Sequence, residues 1–399
     1  MPTLTLSAAR LADGRRVDVR IVDGVIESVE PTGAGEPGIP SDSVVECGGR
    51  LLTPSLVNGH AHLDKTFMGG TWQPHRPGTT VRERVAAERD IRASLDAPII
   101  DRARTLASAL LAEGTTSIRT HVDIDAELEL LGLEAVLALR EEFAGSLDLQ
   151  VVAFPQSGIL HEPGVAGLLE AAVREGADVV GGLDPAGFDG DATAHLDVVF
   201  SLAERYDRAV DIHLHDLGEL GIAQILDIAA RTRSAGLGGR ATISHAYSLG
   251  SVGVDRVREV ADALAAAGVS IMTNGPTGPM PDVRVLREHG VTVFSGSDNI
   301  RDAWWPYGSA DMLDVARTVA YQSDFRTDDE LAVALDLVTG SAARALGDPE
   351  HTIGVGHAAT VMLLDCETPA EAVVASPDRL LVLTRGVPVA GRWRSTVEP

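Results

Sequence analysis

The sequence predicts an α/β fold: a closed, TIM-like (β/α)8 barrel with a small β-sandwich domain formed by both chain ends. Apolar, strand-like runs recur through the middle of the chain between amphipathic segments rich in Ala, Leu, Glu and Arg. The two ends instead alternate apolar and polar residues in short runs. Eight strands alternating with helices are typical of a closed parallel barrel, whereas period-two alternation is typical of half-buried strands. The predicted domains are residues 1–54 and 349–399 for the sandwich and 55–348 for the barrel.

The barrel strands follow one another along the chain. The eight runs are LLTPSLVNGHAH, TSIRTHVDI, LQVVAFP, DVVGGLDP, AVDIHLHD, ATISHAY, VSIMTNGP and VTVFSGSD. Segments of helical periodicity separate them, such as VFSLAERY, AQILDIAARTR and VREVADALAAAG. An open doubly wound sheet is the alternative, but it would favour a Gly-rich phosphate turn after its first strand. The sequence has no G-x-G-x-x-G or P-loop motif, which favours the barrel.

The chain ends carry hairpin signals. Asp-Gly pairs stand at 13–14 and 23–24, on either side of the alternating run that begins VDVRIV. Near the other end, TVMLLD and RLLVLTRGVPVAGRW read as further strands. We therefore expect the two ends to pair into one small β domain.

Composition excludes several classes of function. The formal net charge of −25 argues against nucleic-acid binding and against anionic membranes, since either needs a basic face. No run approaches the roughly 18 apolar residues of a membrane span, and the N-terminus lacks a signal-peptide pattern. The two cysteines, Cys47 and Cys366, cannot form a disulfide framework or a Cys-based metal cluster. These features predict a cytoplasmic protein whose partner is a small molecule.

Ligand-type side chains collect at the predicted carboxyl ends of the strands, where the active site of such a barrel lies. His60 and His62, two residues apart on a strand, point to the same side and can bind one ion. His213 could supply a third imidazole and Asp298 a carboxylate, which leaves an open, catalytic coordination sphere. A metal held in this way lowers the pKa of a bound water to about 7. Asp298 could then receive a proton, and His245 could hold the attacking oxygen.

The sequence also resembles the amidohydrolase superfamily, and within it the cytosine deaminase branch. The resemblance rests on GHAHLDKTF, GTTSIRTHVDI, LQVVAFPQSGIL, GADVVGG, ERYDRAVDIHLHD, SHA, SGSDN and WWPYGSADML, which cover most of residues 50–345. It implies one divalent ion, zinc or iron, bound by the residues that match the family ligands: His60, His62, His213 and Asp298. It further implies that His245 orients the nucleophilic water, that Gln156 contacts a substrate ring, that Trp304 lines the pocket, and that the protein forms a homo-oligomer.

The sequence differs from cytosine deaminases at positions that transfer protons in that branch, but not at the positions of the metal ligands. Asp216 stands where that branch has Glu, with His215 beside it, and Asn299 replaces the second carboxylate of Asp-Asp. Lys65 and Asp184 instead resemble a related branch, the N-isopropylammelide isopropylamidohydrolases. That likeness implies that Lys65 donates a hydrogen bond to a ring carbonyl or ring nitrogen during attack.

The resulting hypothesis is a mononuclear metal-dependent hydrolase of a non-peptide C–N bond in a small cyclic amide or amidine, such as a pyrimidine or triazine. Its alternatives are a true cytosine deaminase that uses Asp216, a dealkylating or ring-opening hydrolase, and a non-catalytic ligand-binding protein on a hydrolase scaffold. The expected catalytic residues are Asp298, His245, Lys65 and Asp216. The expected substrate-binding residues are Gln156, Asp184, Trp304 and Asn299.

Overall fold

The computed structural model describes residues 3–33, 43–76, 78–92, 94–275 and 278–392. Two β systems dominate it, one in the middle of the chain and one built from both ends. Of the helices in these ranges, none is both long enough and apolar enough to cross a lipid bilayer.

The middle of the chain forms a parallel barrel. Within the described ranges its eight strands are β6 (Leu56–Ala61), β7 (Thr115–Asp123), β8 (Asp148–Phe154), β9 (Val179–Leu183), β10 (Ala209–His213), β11 (Ala241–Ser244), β12 (Val269–Met272) and β13 (Val293–Phe294). Each strand pairs in parallel with the next one along the chain. The predicted (β/α)8 fold is confirmed.

The barrel closes where the last strand meets the first. Asp298 donates its backbone N–H to the His60 carbonyl at 2.8 Å, and Gly59 donates to the Ser295 carbonyl at 3.1 Å. Glycine is required on both sides of this seam: a Cβ at Gly59 would collide with the Phe294 ring, and one at Gly296 would collide with the His60 backbone. Closure therefore brings Asp298 beside the first-strand histidines.

Helices surround the barrel. Their bounds are α1 (Val81–Arg92), α2 (Ile99–Ala112), α3 (Leu131–Glu142), α4 (Val165–Glu175), α5 (Ala192–Tyr206), α6 (Gly218–Ser234), α7 (Val254–Ala267), α8 (Val283–Glu288), α9 (Met312–Gln322), α10 (Asp328–Asp336), α11 (Gly340–Ala345) and α12 (Pro369–Ala375). A short 3-10 helix spans Tyr247–Gly250. Several begin at side-chain caps, including a capping box between Thr327 and Glu330 that starts α10. Their apolar faces pack on the strands and form the main core.

The chain ends form the second β domain, as the alternating pattern predicted. Its strands are β1 (Leu4–Arg10), β2 (Arg16–Val22), β3 (Val25–Pro31), β4 (Ser43–Glu46), β5 (Leu51–Pro54), β14 (Val361–Leu364), β15 (Arg379–Thr384) and β16 (Val387–Ala390). They pair into one branched sheet, in which β1 contacts β2, β4 and β5, and β5 pairs with β14 from the other chain end. Asp23 and Gly24, both at positive φ, form the tight turn between β2 and β3.

The first predicted barrel strand is in fact two strands. The run LLTPSLVNGHAH divides at Ser55, so that β5 belongs to the terminal sheet and β6 to the barrel. Similarly, only Val293–Phe294 of the predicted eighth run pairs as a strand, and the following residues turn into the barrel mouth. The domain boundaries themselves stay predictions, with β5 ending at Pro54 and β14 beginning at Val361.

Candidate metal centre and substrate cavity

The four predicted ligands converge at the carboxyl ends of the barrel strands. His60 and His62 lie at the end of β6, His213 is the last residue of β10, and Asp298 follows β13. The ligand atoms of His60, His62 and His213 all lie within 4.8 Å of one another. Asp298 Oδ1 lies 3.5 Å from His60 Nε2 and 3.4 Å from His62 Nε2. Together the four side chains form a His/His/His/Asp cluster that suggests a divalent metal site.

A chain of hydrogen bonds below the cluster fixes the orientation of His60. The Ser244 hydroxyl donates to Asp211 Oδ1 at 2.6 Å, so its oxygen can accept from His60 Nδ1–H at 3.1 Å. Arg119 holds the other oxygen of Asp211 at 3.0 Å. In this tautomer His60 Nε2 is unprotonated and carries the free lone pair of the ring. It is buried and has no hydrogen-bond partner in the described part of the chain. Such a support is typical of a metal-binding imidazole.

The other two imidazoles are also suited to a cation. Burial, and then the nearby charge of Lys65, lower the pKa of His62 to about 3, which keeps the ring neutral. Neither ring nitrogen of His213 has a hydrogen-bond partner among the described residues, although both are buried. Buried polar atoms without partners are rare and costly. A divalent cation bound by Asp298 and by one nitrogen of each ring would satisfy those ligand atoms.

Three residues at this end of the barrel adopt left-handed backbone conformations. The φ angles are 36° at Asp184, 71° at His245 and 55° at Asp298, and each residue immediately follows a strand or closes the seam. Non-glycine residues adopt such conformations at a cost and are concentrated at functional sites. Here the turn directs the His245 and Asp298 side chains into the cavity.

A cavity of about 340 Å³ opens above the cluster. That volume suits a small ring compound. Of the predicted site residues, Gln156, His245, Trp304 and Asn299 line it together with His62, His213 and Asp298. Further lining residues are Phe154, Tyr247, Asn274, Val81 and Arg84.

His215, rather than Asp216, faces the cavity. Its Nδ1–H donates to Asp184 Oδ2 at 2.9 Å, while Asp184 Oδ1 accepts from the His215 backbone N–H at 2.6 Å. The ring stacks on His245 with centroids 4.6 Å apart. Asp184 thus lies behind His215, where it holds the imidazole and does not itself line the cavity.

Asp216 turns away from the cavity. It accepts hydrogen bonds from the Gly187 backbone N–H at 2.9 Å and from Gln224 Nε2 at 2.8 Å. Burial raises the pKa of its carboxyl group, but the cavity lining does not include it. The geometry therefore does not favour the expected direct role of Asp216 at a substrate ring.

Lys65 also lies behind the cavity wall. Its ammonium donates to Gln156 Oε1 and pairs with Asp123 Oδ1 at 2.8 Å. Burial disfavours the charged amine, but Asp123, Glu88 and Asp64 outweigh that effect and raise its pKa. Lys65 is not part of the cavity lining, so the geometry supports action through Gln156 rather than the expected direct contact with a ring.

Sequence reasoning missed Asn274 and the start of α1. Asn274 Nδ2 donates to Asp298 Oδ2 at 2.8 Å and lines the cavity. It follows β12, so the rule that located the other strand-end residues could have found it. Val81 and Arg84 come from a helix inserted after the first strand, and the spacing of the strands gives no signal for them.

Comparison with known sequences identifies the family. The model of the amidohydrolase family matches residues 43–393. The N-isopropylammelide isopropyl amidohydrolase of Pseudomonas sp. (strain ADP) is 31% identical over 376 residues, which cover 92% of each chain. A pterin deaminase of Rhizobium rhizogenes is 27% identical over 392 residues, covering 93% of this chain and 87% of the relative.

Solved structures agree with this assignment. An N-isopropylammelide isopropylaminohydrolase from Burkholderia multivorans superposes with a TM-score of 0.92 at 41% identity, over 98% of this chain and 99% of that one. A 5-methylcytosine deaminase from Klebsiella pneumoniae, liganded with 5-fluorocytosine, superposes with a TM-score of 0.87 at 27% identity, over 100% and 99% of the two chains. The His/His/His/Asp cluster, the barrel and these matches lead to one conclusion: the chain belongs to the amidohydrolase family.

Proposed function

We propose that this protein is a mononuclear metal-dependent hydrolase that cleaves an exocyclic C–N bond of a small nitrogen heterocycle and releases an amine or ammonia. The observation that carries the proposal is the cavity of about 340 Å³ directly above the His/His/His/Asp cluster. The names of the relatives, which act on N-isopropylammelide, pterin and 5-methylcytosine, support a nitrogen heterocycle as the substrate class.

His60, His62, His213 and Asp298 would hold one divalent ion, zinc or iron. When bound, such an ion supplies Lewis-acid activation of water at neutral pH. The four side chains contribute three neutral imidazoles and one carboxylate, and the cavity gives a water and a substrate access to the remaining side of the site.

The remaining groups handle the oxygen and the leaving nitrogen. His245 lies on the cavity wall beside Asp298, where its ring can hold the attacking oxygen. Asp298 can take up the proton that the water loses. His215, with Nδ1 held by Asp184, directs Nε2 to the cavity and can carry a proton at that atom to the leaving nitrogen. Gln156 and Trp304 would orient the ring.

The orientation of Asp216 bears on the rival hypothesis of a true cytosine deaminase in which Asp216 acts in place of Glu. The carboxylate contacts Gly187 and Gln224 instead of the cavity, which favours the His215–Asp184 pair as the proton carrier. The retention of His245 and Asp298 on the cavity wall argues against a non-catalytic binding protein.

The test is a screen of metal-loaded protein against aminopyrimidines, N-alkylamino-triazines, pterins and hydantoins, with ammonia, alkylamine and acid release read separately. We expect amine or ammonia release from at least one aminated ring. Acid release without amine would indicate the ring-opening rival, and tight binding without any product would indicate the binding protein. The homo-oligomeric state and cytoplasmic location expected from the sequence stay predictions.

A further inference from the structure

Glu88 on α1 connects two residues of the cavity wall. It is 5% exposed, and its Oε2 accepts hydrogen bonds from Gln156 Nε2 at 2.6 Å and from Trp304 Nε1 at 2.5 Å. Gln156 and Trp304 both line the cavity, whereas Glu88 lies behind them. A single carboxylate oxygen thus holds the two side chains that are expected to meet a substrate ring.

The neighbours of Gln156 determine which end of its amide is oxygen. The Lys65 ammonium, which can only donate, contacts Oε1, and the ionised carboxylate of Glu88, which can only accept, contacts Nε2 at 2.6 Å; Asp123 Oδ2 lies 3.3 Å from the same nitrogen. A flipped amide would place donors against Lys65 and an acceptor against the Glu88 carboxylate. The polarity of Gln156 is therefore fixed by charge.

This arrangement uses both N–H groups of Gln156. One faces Glu88 and the other faces Asp123, so neither is left for a ligand. Oxygen Oε1 accepts from Lys65 and keeps a second lone pair. The remaining hydrogen-bonding capacity of Gln156 is that of an acceptor.

The charge of Glu88 is balanced locally. Lys65 Nζ lies 3.8 Å from Oε2, and Arg92 Nη2 lies 3.3 Å from Oε1, one turn further along α1. Burial opposes ionisation of Glu88, but these two cations outweigh it and hold its pKa below the usual value. Since the first turn of the same helix contributes Val81 and Arg84 to the cavity wall, Glu88 also anchors that wall.

We propose that Glu88 is a positioning residue that fixes the polarity of Gln156 and the orientation of Trp304, and that the substrate consequently presents an N–H donor to Gln156. The chemical class is a ring with a lactam or imide N–H on the edge that faces Gln156. This inference rests on the proposed function in so far as a ring occupies the cavity.

The first experiment needs no turnover. The indole N–H resonance of Trp304 is recorded in ¹⁵N-labelled protein and assigned with Trp304→Phe. A hydrogen bond to an ionised carboxylate moves this proton downfield, so we expect Glu88→Gln to move it upfield. The matched control is Asp90→Asn, the same carboxylate-to-amide change at an exposed position of α1. An indole resonance unaffected by Glu88→Gln overturns the positioning role.

The second experiment tests the donor edge. Uracil, which carries two N–H groups and no exocyclic amine, and 1,3-dimethyluracil are titrated calorimetrically into metal-loaded protein. We expect wild-type protein and the control to prefer uracil, and Glu88→Gln to reduce that preference by about tenfold, since Gln156 loses the charged acceptor that fixes its orientation. In turnover, Glu88→Gln should raise KM more than it lowers kcat, with unchanged metal content.

An unchanged uracil preference in Glu88→Gln, or no preference in the wild type, overturns the donor-edge assignment. The two proposals fail separately. If the indole resonance moves as expected but no C–N bond is cleaved in the screen, only the proposed function fails. If an aminated ring is hydrolysed while the indole resonance and the ligand preference stay unchanged, only the role of Glu88 fails.

Discussion

The barrel mouth, at the carboxyl ends of the barrel strands, and the terminal sheet, built from both chain ends, differ in their buried polar groups and in the use of left-handed backbone conformations. Around the sheet, an apolar cluster that includes Leu6, Val19 and Leu363 fills the interior. The barrel mouth buries imidazole nitrogens that have no hydrogen-bond partner among the described residues. In the sheet, left-handed residues such as Asp23 reverse the chain, whereas at the mouth His245 and Asp298 use that conformation to direct side chains into a cavity. The sheet therefore contributes mainly to stability. At the mouth, the unpartnered nitrogens and left-handed residues lower stability but form a binding site.

That loss of stability depends on what occupies the site. A buried polar group without a partner costs about 1–3 kcal/mol. Several such imidazole nitrogens lie together at the mouth, and one cation would satisfy one nitrogen of each imidazole that binds it. Changes at the mouth should therefore affect metal content and turnover, whereas changes in the sheet should affect the free energy of unfolding.

The largest effect is expected from His60→Ala. This change removes the proposed metal ligand that Ser244 holds, so we expect loss of bound metal and no measurable turnover. Elemental analysis of the purified variant checks the metal, and circular dichroism checks the fold. A full complement of metal in a folded variant would contradict the assignment of His60 as a ligand.

Asp298→Asn should nearly abolish turnover, whether or not some metal remains bound. The variant loses a carboxylate that lies within 3.5 Å of both first-strand imidazoles and that accepts from Asn274. Steady-state kinetics with the metal content determined in parallel separates the two contributions. Robust activity would count against Asp298 as the group that takes up the proton of the attacking water.

His215 lines the cavity, whereas the adjacent Asp216 turns away from it. His215→Gln should lower kcat by about 10²-fold or more, because general acid–base catalysis typically contributes that much. Asp216→Asn should cost far less, since Asp216 contacts only Gly187 and Gln224 in the hydrogen bonds described. The reverse order of effects would favour Asp216 as the proton carrier.

Ser244→Ala tests the support beneath the metal site. The variant removes the acceptor for His60 Nδ1–H without touching a ligand atom. Outer partners of this kind typically contribute about 10- to 100-fold in metal affinity. Competition with a chromophoric chelator measures the affinity, and an unchanged value would show that Ser244 does not orient His60.

Leu363→Ala should change stability but not chemistry. Leu363 is 1% exposed in the terminal sheet, and truncation of a buried Leu costs about 2–5 kcal/mol. We expect a lower free energy of unfolding in urea, with the kcat and metal content of the folded fraction unchanged. A loss of metal binding in the folded variant would show that the sheet and the mouth are coupled.

Much of the metal site could be predicted from strand periodicity. The i and i+2 rule placed His60 and His62 on one side, and the strand-end rule placed His213, His245 and Asp298 at one mouth. The same alternation, continued from His213, would have favoured His215 over Asp216 as the residue facing the cavity. The resemblance to a family position suggested Asp216 instead.

Other features could not be predicted from spacing. Lys65 lies three residues beyond His62, after the strand has ended, so alternation no longer fixes the direction of its side chain. Glu88 reaches Gln156 and Trp304 only because α1 folds back over the mouth, and helical periodicity indicates which face is buried but not what it meets. The seam between the last and first strands depends likewise on the close packing of Gly59 and Gly296.

A metal titration of turnover tests most directly whether hydrolysis depends on a single metal ion. Metal-free protein is titrated with Zn²⁺ or Fe²⁺ while amine and ammonia release from the best aminated ring of the screen is measured. We expect no activity without metal and full activity at one ion per chain, with no recovery in His60→Ala. Undiminished activity in metal-free protein, or saturation only at two ions per chain, would contradict a mononuclear metal-dependent hydrolase.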